Sequence, residues 1–324
     1  MSILVLGGAG YIGSHTVYKL IEKGEDIVIV DNLQTGFEKL VHPKARFYKG
    51  DIRDLQFMDE VFTKEDIKGI IHFAANSLVG ESMTKPLDYY DNNVYGMICL
   101  LKIMKKHNVK NIVFSSTAAT YGDPKKIPIT EDDETNPTNT YGETKLAMEK
   151  MMKWCEKAYD IKWVALRYFN ACGAHEDGII GELHNPETHL IPLVLQVPLG
   201  VRDTIYIFGD DYDTPDGTCI RDYIHVNDLA EAHFKALNYL YDGNESNIFN
   251  LGNGEGFSVL EIINAAKEVT NLPINVEISP RRPGDPARLI ANNKKAKELL
   301  NWSPEYTDIK KIIKTAWNFY LKNK

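Results

Sequence analysis

The chain of 324 residues has little cysteine. Its four cysteines, Cys99, Cys155, Cys172 and Cys219, are scattered, with no C-x-x-C spacing. That argues against a disulfide scaffold and fits reduced thiols in a cytoplasmic protein. No apolar run approaches the roughly 18–20 residues of a membrane span, so no membrane partner is expected. No dense Lys/Arg run is present, and 37 basic side chains face 45 acidic ones for a formal net charge of −8. Nucleic acid is therefore not an expected partner. Met1 to Leu6 carry no basic lead of the kind a signal peptide needs. Repeats and low-complexity tracts are missing as well. What remains, 44% hydrophobic and 25% charged, is globular composition, and the length suits one large or two modest domains.

Short apolar runs recur: Ile3 to Leu6, Ile27 to Val30, Gly69 to Phe73, Asn111 to Phe114 and Lys162 to Arg167. Each reads as a strand buried on both faces. Helical patterns lie between them at about 12–22, 92–107 and 143–158. This alternation predicts an α/β fold, a Rossmann-type doubly wound parallel sheet. After Asn170 the chain turns loop-rich. It has a helical stretch near 189–199, a strand at Ile205 to Phe208, a helix at 227–241, a returning strand at Ile248 to Leu251, a capping box at Ser258 to Glu261 and a last helix at 308–321. The prolines of 280–286 exclude regular structure there. The expected division is a cofactor domain over 1–171, rejoined by about 221–254, and a smaller substrate domain over 172–220 and 255–324.

Gly7, Gly10 and Gly13 space a G-x-x-G-x-x-G turn between a strand and a helix. Such glycines let the backbone approach a pyrophosphate resting on the helix N-terminus. Asp31 closes the second strand, where an acid bonds an adenosine ribose and repels a 2′-phosphate; NAD is favoured over NADP. Asp51 and Ile52 follow another short strand and are placed to meet the adenine. Phe73, Ala74 and Ala75 end the next, where small residues let a cofactor lie close.

Tyr141 and Lys145 form Y-x-x-x-K and share a helix face. An ammonium beside a phenol favours phenolate and equips the tyrosine as a general base. Thr117, at the end of the Ser115-Ser116-Thr117 run, is placed to bond a reacting hydroxyl.

With these motifs, the chain resembles the UDP-glucose 4-epimerases of the extended short-chain dehydrogenase/reductase superfamily. The resemblance covers nearly the whole chain: Gly7 to His15, Asp31 to Leu33, His72 to Ala74, Val79 to Ser82, Tyr89 to Asn93, Tyr141 to Lys145, Leu166 to Asn170, Arg221 to Val226 and Arg281 to Asp285. It implies Tyr141 as base, Lys145 as its tuning cation and Thr117 as the hydroxyl partner. C4 of a UDP-sugar is oxidised by bound NAD, the 4-keto sugar rotates, and it is reduced again on the other face. The resemblance adds Tyr11, Ile12, Asn32, Ser77, Asn92, Ser115, Tyr168 and Phe169 to the cofactor positions. For the UDP-sugar it implies Asn170, His189, Leu190, Tyr206, Phe208, Arg221, Arg282 and Asp285, besides Thr117 and Tyr141. Arginine suits a diphosphate because its fork pairs bidentately. The resemblance also implies a homodimer paired through the helices near 92–107 and 143–158.

Four residues depart from the family pattern, and a fifth bears on specificity. Ser77 stands where many members have lysine, Thr117 where serine is commoner, and Thr188-His189 where some have paired asparagines. Leu289 aligns with a position whose bulk limits N-acetylated sugars.

The nearest rivals, 4,6-dehydratases and decarboxylases of nucleotide sugars, carry acids after the Thr. Here Ala118 and Ala119 follow Thr117, which favours epimerisation. A 4-epimerase of UDP-glucuronate or UDP-pentoses is separated poorly by sequence. A non-catalytic dinucleotide sensor would have lost Tyr141 or Lys145. No metal is expected, because Cys172, His175, His184 and His189 match no standard zinc spacing.

Overall fold

The computed structural model describes residues 1–282 and 284–323. Seven strands form one parallel sheet: β1 Ser2–Leu6, β2 Ile27–Asp31, β3 Arg46–Lys49, β4 Ile67–His72, β5 Asn111–Thr117, β6 Lys162–Tyr168 and β7 Asn247–Leu251, in spatial order 7-6-5-4-1-2-3. The helices used below are α1 Tyr11–Glu22, α2 Leu55–Lys64, α3 Gly96–Lys106, α4 Thr140–Tyr159, α5 Leu190–Gln196, α6 Val226–Tyr241, α7 Val259–Thr270 and α8 Ile309–Lys322.

The strands read as continuous apolar runs because both faces are covered. Side chains alternate across the sheet. Leu4, Leu6, Val28 and Val30 therefore pack with Met58 and Phe62 of α2, Met97 and Leu100 of α3, and Met148 and Met152 of α4. Ile3, Val5, Ile27 and Ile29 face the opposite layer, with Val17 and Leu20 of α1 and Leu229 and Leu237 of α6. The chain runs outward from β1 through β2 to β3, then crosses back to β4. That reversal leaves a crevice at the carboxyl ends of β1 and β4.

The predicted doubly wound sheet is the observed one, with differences at element ends. The stretch expected as one helix over 92–107 begins as a π-helical segment, Tyr90–Tyr95, and becomes α-helical only at Gly96. Within the wider turn Asn93 is fully buried. Its Oδ1 accepts from Asn76 N at 2.8 Å, and its Nδ2 donates to Thr144 Oγ1 at 3.1 Å. Side-chain bonds between elements thus fix a segment that apolar spacing reads as ordinary helix. The helix expected over 189–199 ends at Gln196, ahead of Pro198, which lacks a donor. The capping box at Ser258 and Glu261 is formed.

A third apolar cluster holds the C-terminal elements. Ile191 and Val194 of α5, Ile262 and Ala266 of α7, and Ile312 and Ala316 of α8 meet Ile205 and Ile207. The strand Ile205–Phe208 pairs in parallel with Val276–Ser279. A small sheet joins Ile220–Arg221 to Phe257–Ser258 and Arg288–Leu289.

One buried carboxylate ties these parts together. Asp222 accepts from Asn253 N (2.7 Å), Gly254 N (3.1 Å) and Ala291 N (3.1 Å), while its own carbonyl accepts from Asn170 N at 3.0 Å. Burial pushes its pKa up to about 6, against the pull of those three backbone donors. Replacing Asp222 by Ala strands three backbone N–H groups in the interior. We expect Asp222→Ala to lose on the order of 2–4 kcal/mol of stability. Thermal unfolding of the two proteins side by side checks it, and an unchanged Tm would contradict the role given to this carboxylate.

Candidate active site

The crevice opens into a cleft of about 960 Å³. Its floor begins at the glycine turn. Gly7 has a left-handed φ of 79°, and a Cβ there would lie 2.7 Å from Ala74 N; one on Gly13 would lie 2.1 Å from Gly7 O. Only glycine allows α1 to start this close to the sheet. Gly10 caps α1 without a side-chain bond, and the first turn has no acid. Its free N–H groups face the cleft as an anion site.

Asp31 is buried at the end of β2. Its oxygens accept from Ala9 N (2.9 Å) and Leu33 N (2.8 Å), and burial raises its pKa against those two bonds. The carboxylate therefore braces the glycine turn and still presents lone pairs to a ribose. Asp51 is held ionised, down to about 2, by Arg53, with further bonds including one from Asn32. A glycine cradle, open helix donors and an acid at the second strand fit NAD.

The remaining predicted cofactor residues, Tyr11, Ile12, Asn32, Ile52, Phe73, Ala74, Ala75, Ser77, Asn92, Ser115, Tyr168 and Phe169, also line the cleft. Of the predicted substrate residues, Thr117, Tyr141, Asn170, His189, Arg282 and Asp285 line it, whereas Leu190, Tyr206, Phe208 and Arg221 do not. Leu190 packs on the C-terminal core instead. Tyr206 and Phe208 alternate with buried Ile205 and Ile207 and are exposed. Two of these four reach the cleft through a neighbour. Arg221 pairs with Asp285, and Phe208 stacks under the Arg282 guanidinium, 4.0 Å from ring centroid to Cζ.

Tyr141 lies in the first turn of α4, which is capped by Asn139 Oδ1 accepting from Gly142 N at 2.8 Å. A Cβ on Gly142 would be 2.5 Å from Ala119 O, so glycine lets α4 close on the turn after Thr117. Lys145, one turn along, donates to Ser115 O at 2.8 Å. Its Nζ stands 5.8 Å from the Tyr141 ring centroid and 4.8 Å from that of Phe114.

Here the sequence-based electrostatics need correction. Lys145 was expected to lower the Tyr141 pKa. Burial instead pushes the phenol up to about 12, opposed by the hydrogen bond with Thr117. Burial drives Lys145 down to about 7, opposed by Glu149. The dry floor penalises both charged forms, and an ammonium near neutrality has little charge to lend.

Sequence reasoning missed Glu149. This carboxylate is buried one turn beyond Lys145. It accepts from Ser116 Oγ (2.5 Å), Arg167 Nε (3.0 Å) and Arg167 Nη2 (2.5 Å). The i, i+4 spacing from Lys145 was a visible signal; the partners on β5 and β6 were not.

Fold and floor together define a dinucleotide-binding enzyme of the Tyr-x-x-x-Lys kind. The model of the NAD dependent epimerase/dehydratase family matches residues 3–252. The chain belongs to that family. It is 59% identical over 320 residues to a UDP-glucose 4-epimerase of Lacticaseibacillus casei, covering 99% of this chain and 97% of the relative. A crystal structure of a UDP-glucose 4-epimerase superposes with a TM-score of 0.98 at 60% identity, over 99% of this chain and 98% of that one. A Bifidobacterium longum UDP-glucose 4-epimerase in complex with NAD+ and UDP gives 0.94 at 43% identity, over 100% and 99%.

Removing the Glu149 charge while keeping its shape lowers the Lys145 pKa further. Glu149→Gln is therefore expected to move the alkaline limb of the pH–rate profile down by roughly one unit. The profile, recorded with a thermal melt of the same variant, separates this from loss of fold. An unmoved limb would mean that Glu149 does not act on Lys145.

Proposed function

We propose that the chain interconverts UDP-glucose and UDP-galactose with tightly held NAD. The observation that carries this reading is the cleft floor: Tyr141, Lys145 and Thr117 converge there, and Ala118 and Ala119 follow Thr117. Elimination or decarboxylation of the sugar calls for an acid after the Thr, and none stands there.

The chemistry that NAD supplies when bound is reversible hydride exchange with the sugar C4, by way of a 4-keto sugar, together with a positive ring beside the phenol. Tyr141 Oη takes the proton of the 4-hydroxyl and returns it when the opposite face of the sugar is presented. Hydride and proton both leave and both come back, so the cycle is redox-neutral. Thr117 orients the hydroxyl under attack, and Lys145 keeps a proton donor beside the phenol. Arg282 holds the diphosphate while the keto sugar turns about its bonds to it, and Arg221 acts through Asp285, its partner at the cleft wall.

On this reading residues 1–171 and 221–254 hold NAD, and residues 172–220 and 255–324 hold the UDP-sugar. Leu289 pairs in register with Arg221, the partner of the cleft residue Asp285. Its bulk bears on UDP-N-acetylhexosamines as second substrates, and leucine is intermediate in size. We also assign a homodimer paired through α3 and α4. The exposed Trp154, at 68%, supports it. Four free cysteines suit a cytoplasmic enzyme.

Proton NMR of the purified protein with UDP-galactose, and separately with UDP-N-acetylgalactosamine, tests the reading without added cofactor. The gluco anomeric signal is expected to grow in with UDP-galactose. Tyr141→Phe should slow it by about 10²–10⁴-fold while NAD stays bound. No turnover, even with NAD supplied, would move the assignment to uronate or pentose substrates.

A further inference from the structure

One wall of the cleft carries a cluster that the reaction above does not use. Residues 182–189, just ahead of α5, bring Glu182, His184, Glu187 and His189 together, with one donor atom from each within 4.8 Å of all the others. The contacts alternate between nitrogen and oxygen. His189 Nδ1 lies 2.9 Å from Glu182 Oε1 and 3.0 Å from Glu187 Oε1. His184 Nδ1 lies 3.2 Å from the same Glu182 oxygen and 3.6 Å from Glu187 Oε2. Metal–ligand bonds of about 2.0–2.2 Å in a tetrahedron put neighbouring ligand atoms roughly 3.3–3.6 Å apart. The two His184 contacts, 3.2 and 3.6 Å, lie at that spacing, and the two His189 contacts, 2.9 and 3.0 Å, are a few tenths of an ångström shorter.

Two further observations point to a ligand. Glu182 is 5% exposed at its side chain. Its Oε1, like His184 Nδ1, is buried without a hydrogen bond of acceptable geometry. His189 Nδ1 and Glu187 Oε1 share a hydrogen bond at 3.0 Å, but the contacts of Glu182 Oε1 and His184 Nδ1 are short without being aimed as hydrogen bonds. Glu187 is also oriented from behind, since its Oε1 accepts from Thr188 N at 2.7 Å and His189 N at 2.8 Å. Such outer bonds fix a metal-binding carboxylate in place.

We propose that Glu182, His184, Glu187 and His189 bind one zinc ion that locks the 182–189 loop against the cleft. Two imidazoles and two carboxylates form a neutral site with a divalent cation. Mixed nitrogen and oxygen donors in four-fold array suit zinc, and not magnesium or calcium, which take six or more oxygens. Four protein ligands close the coordination sphere, so the ion is structural. The sequence spacing hid the site because Cys172 and His175 are not part of it, whereas Glu182 and Glu187 are.

The test uses the untagged chain purified without chelator, and it does not depend on the epimerase reading because it measures metal and stability. Elemental analysis is expected to find one zinc per chain. Stripping with dipicolinate should lower the Tm, and zinc, but not magnesium, should restore it. Cobalt loaded in place of zinc should give the strong visible absorption of a tetrahedral centre. Glu182→Gln and His184→Gln should each weaken zinc at least about 10-fold and leave a Tm that ignores added zinc. The rival arrangement is a quartet of ion pairs between protonated histidines and the two carboxylates. Wild-type protein with no bound zinc and the same Tm with and without added zinc would establish the rival and overturn the proposal. Should a variant fail to fold, stripping and reloading the wild type decides alone.

Discussion

The catalytic floor depends on one buried ion pair. Glu149 and Arg167 are almost fully enclosed, on helix α4 and strand β6, and Glu149 also takes the Ser116 hydroxyl of β5. A buried pair contributes little net stability over well-packed apolar residues, because desolvating both charges costs about what their attraction returns. Its effect is on register. Sliding or rotating α4 against the sheet would leave both charges uncompensated, so the helix has one position. That position sets Tyr141 beside Thr117 and Lys145 on the Ser115 carbonyl. The same carboxylate is the anion that holds Lys145 from falling further toward neutrality. Geometry and protonation of the floor thus share a cause.

The floor is poised against charge until a cation arrives. Burial pushes the Tyr141 phenol still further from ionising than a free tyrosine and drives Lys145 down to about 7, against the pull of Glu149. A base that stays protonated without cofactor cannot attack stray hydroxyls. The positive ring of an oxidised NAD held in this cleft would favour phenolate at Tyr141, which would tie proton removal to the presence of the hydride acceptor. The anion-binding end of α1, with no acid in its first turn and no side-chain cap, fits the same logic on the pyrophosphate side.

Much of this was legible in the sequence, and the part that was follows a rule. The strands, the glycine turn, Asp31, Tyr141, Lys145 and Thr117 are encoded within a few residues of chain, as apolar runs, turn chemistry or helical spacing. What stayed hidden depends on residues far apart. Glu149 is bonded to Arg167, 18 positions on, and Asn93 to Asn76 and Thr144. The π-helical turn at 90–95 exists to serve the Asn93 bonds, and no local pattern announces it. Direction of side chains was the other gap. Leu190 sits in a motif associated with substrate, yet helix α5 turns it into the core. The electrostatics were misjudged for the same reason: a helix face can be read from spacing, but the dryness around it cannot.

The cleft also shows how one fold separates related reactions. Hydride exchange at C4 needs a base and a hydroxyl, which α4 and β5 offer in Tyr141 and Thr117, and a bound cofactor. Further bond breaking at C5 or C6 calls for an acid beyond Thr117, and the chain offers Ala118 and Ala119 there instead. The turn after Thr117 lies close against α4, since a Cβ on Gly142 would stand 2.5 Å from Ala119 O. Thr117 Oγ1 accepts from Ala119 N at 3.2 Å, which folds the following turn tightly under α4. The keto sugar, once formed, has no partner for elimination and only one onward step, return of hydride and proton. Freedom to rotate then decides the stereochemistry, so the diphosphate must be anchored while the sugar is not. On the proposed reading the first task falls to Arg282 at the cleft wall, steadied on Phe208, with Arg221 behind it, paired with Asp285. The space between them and Tyr141 serves the second.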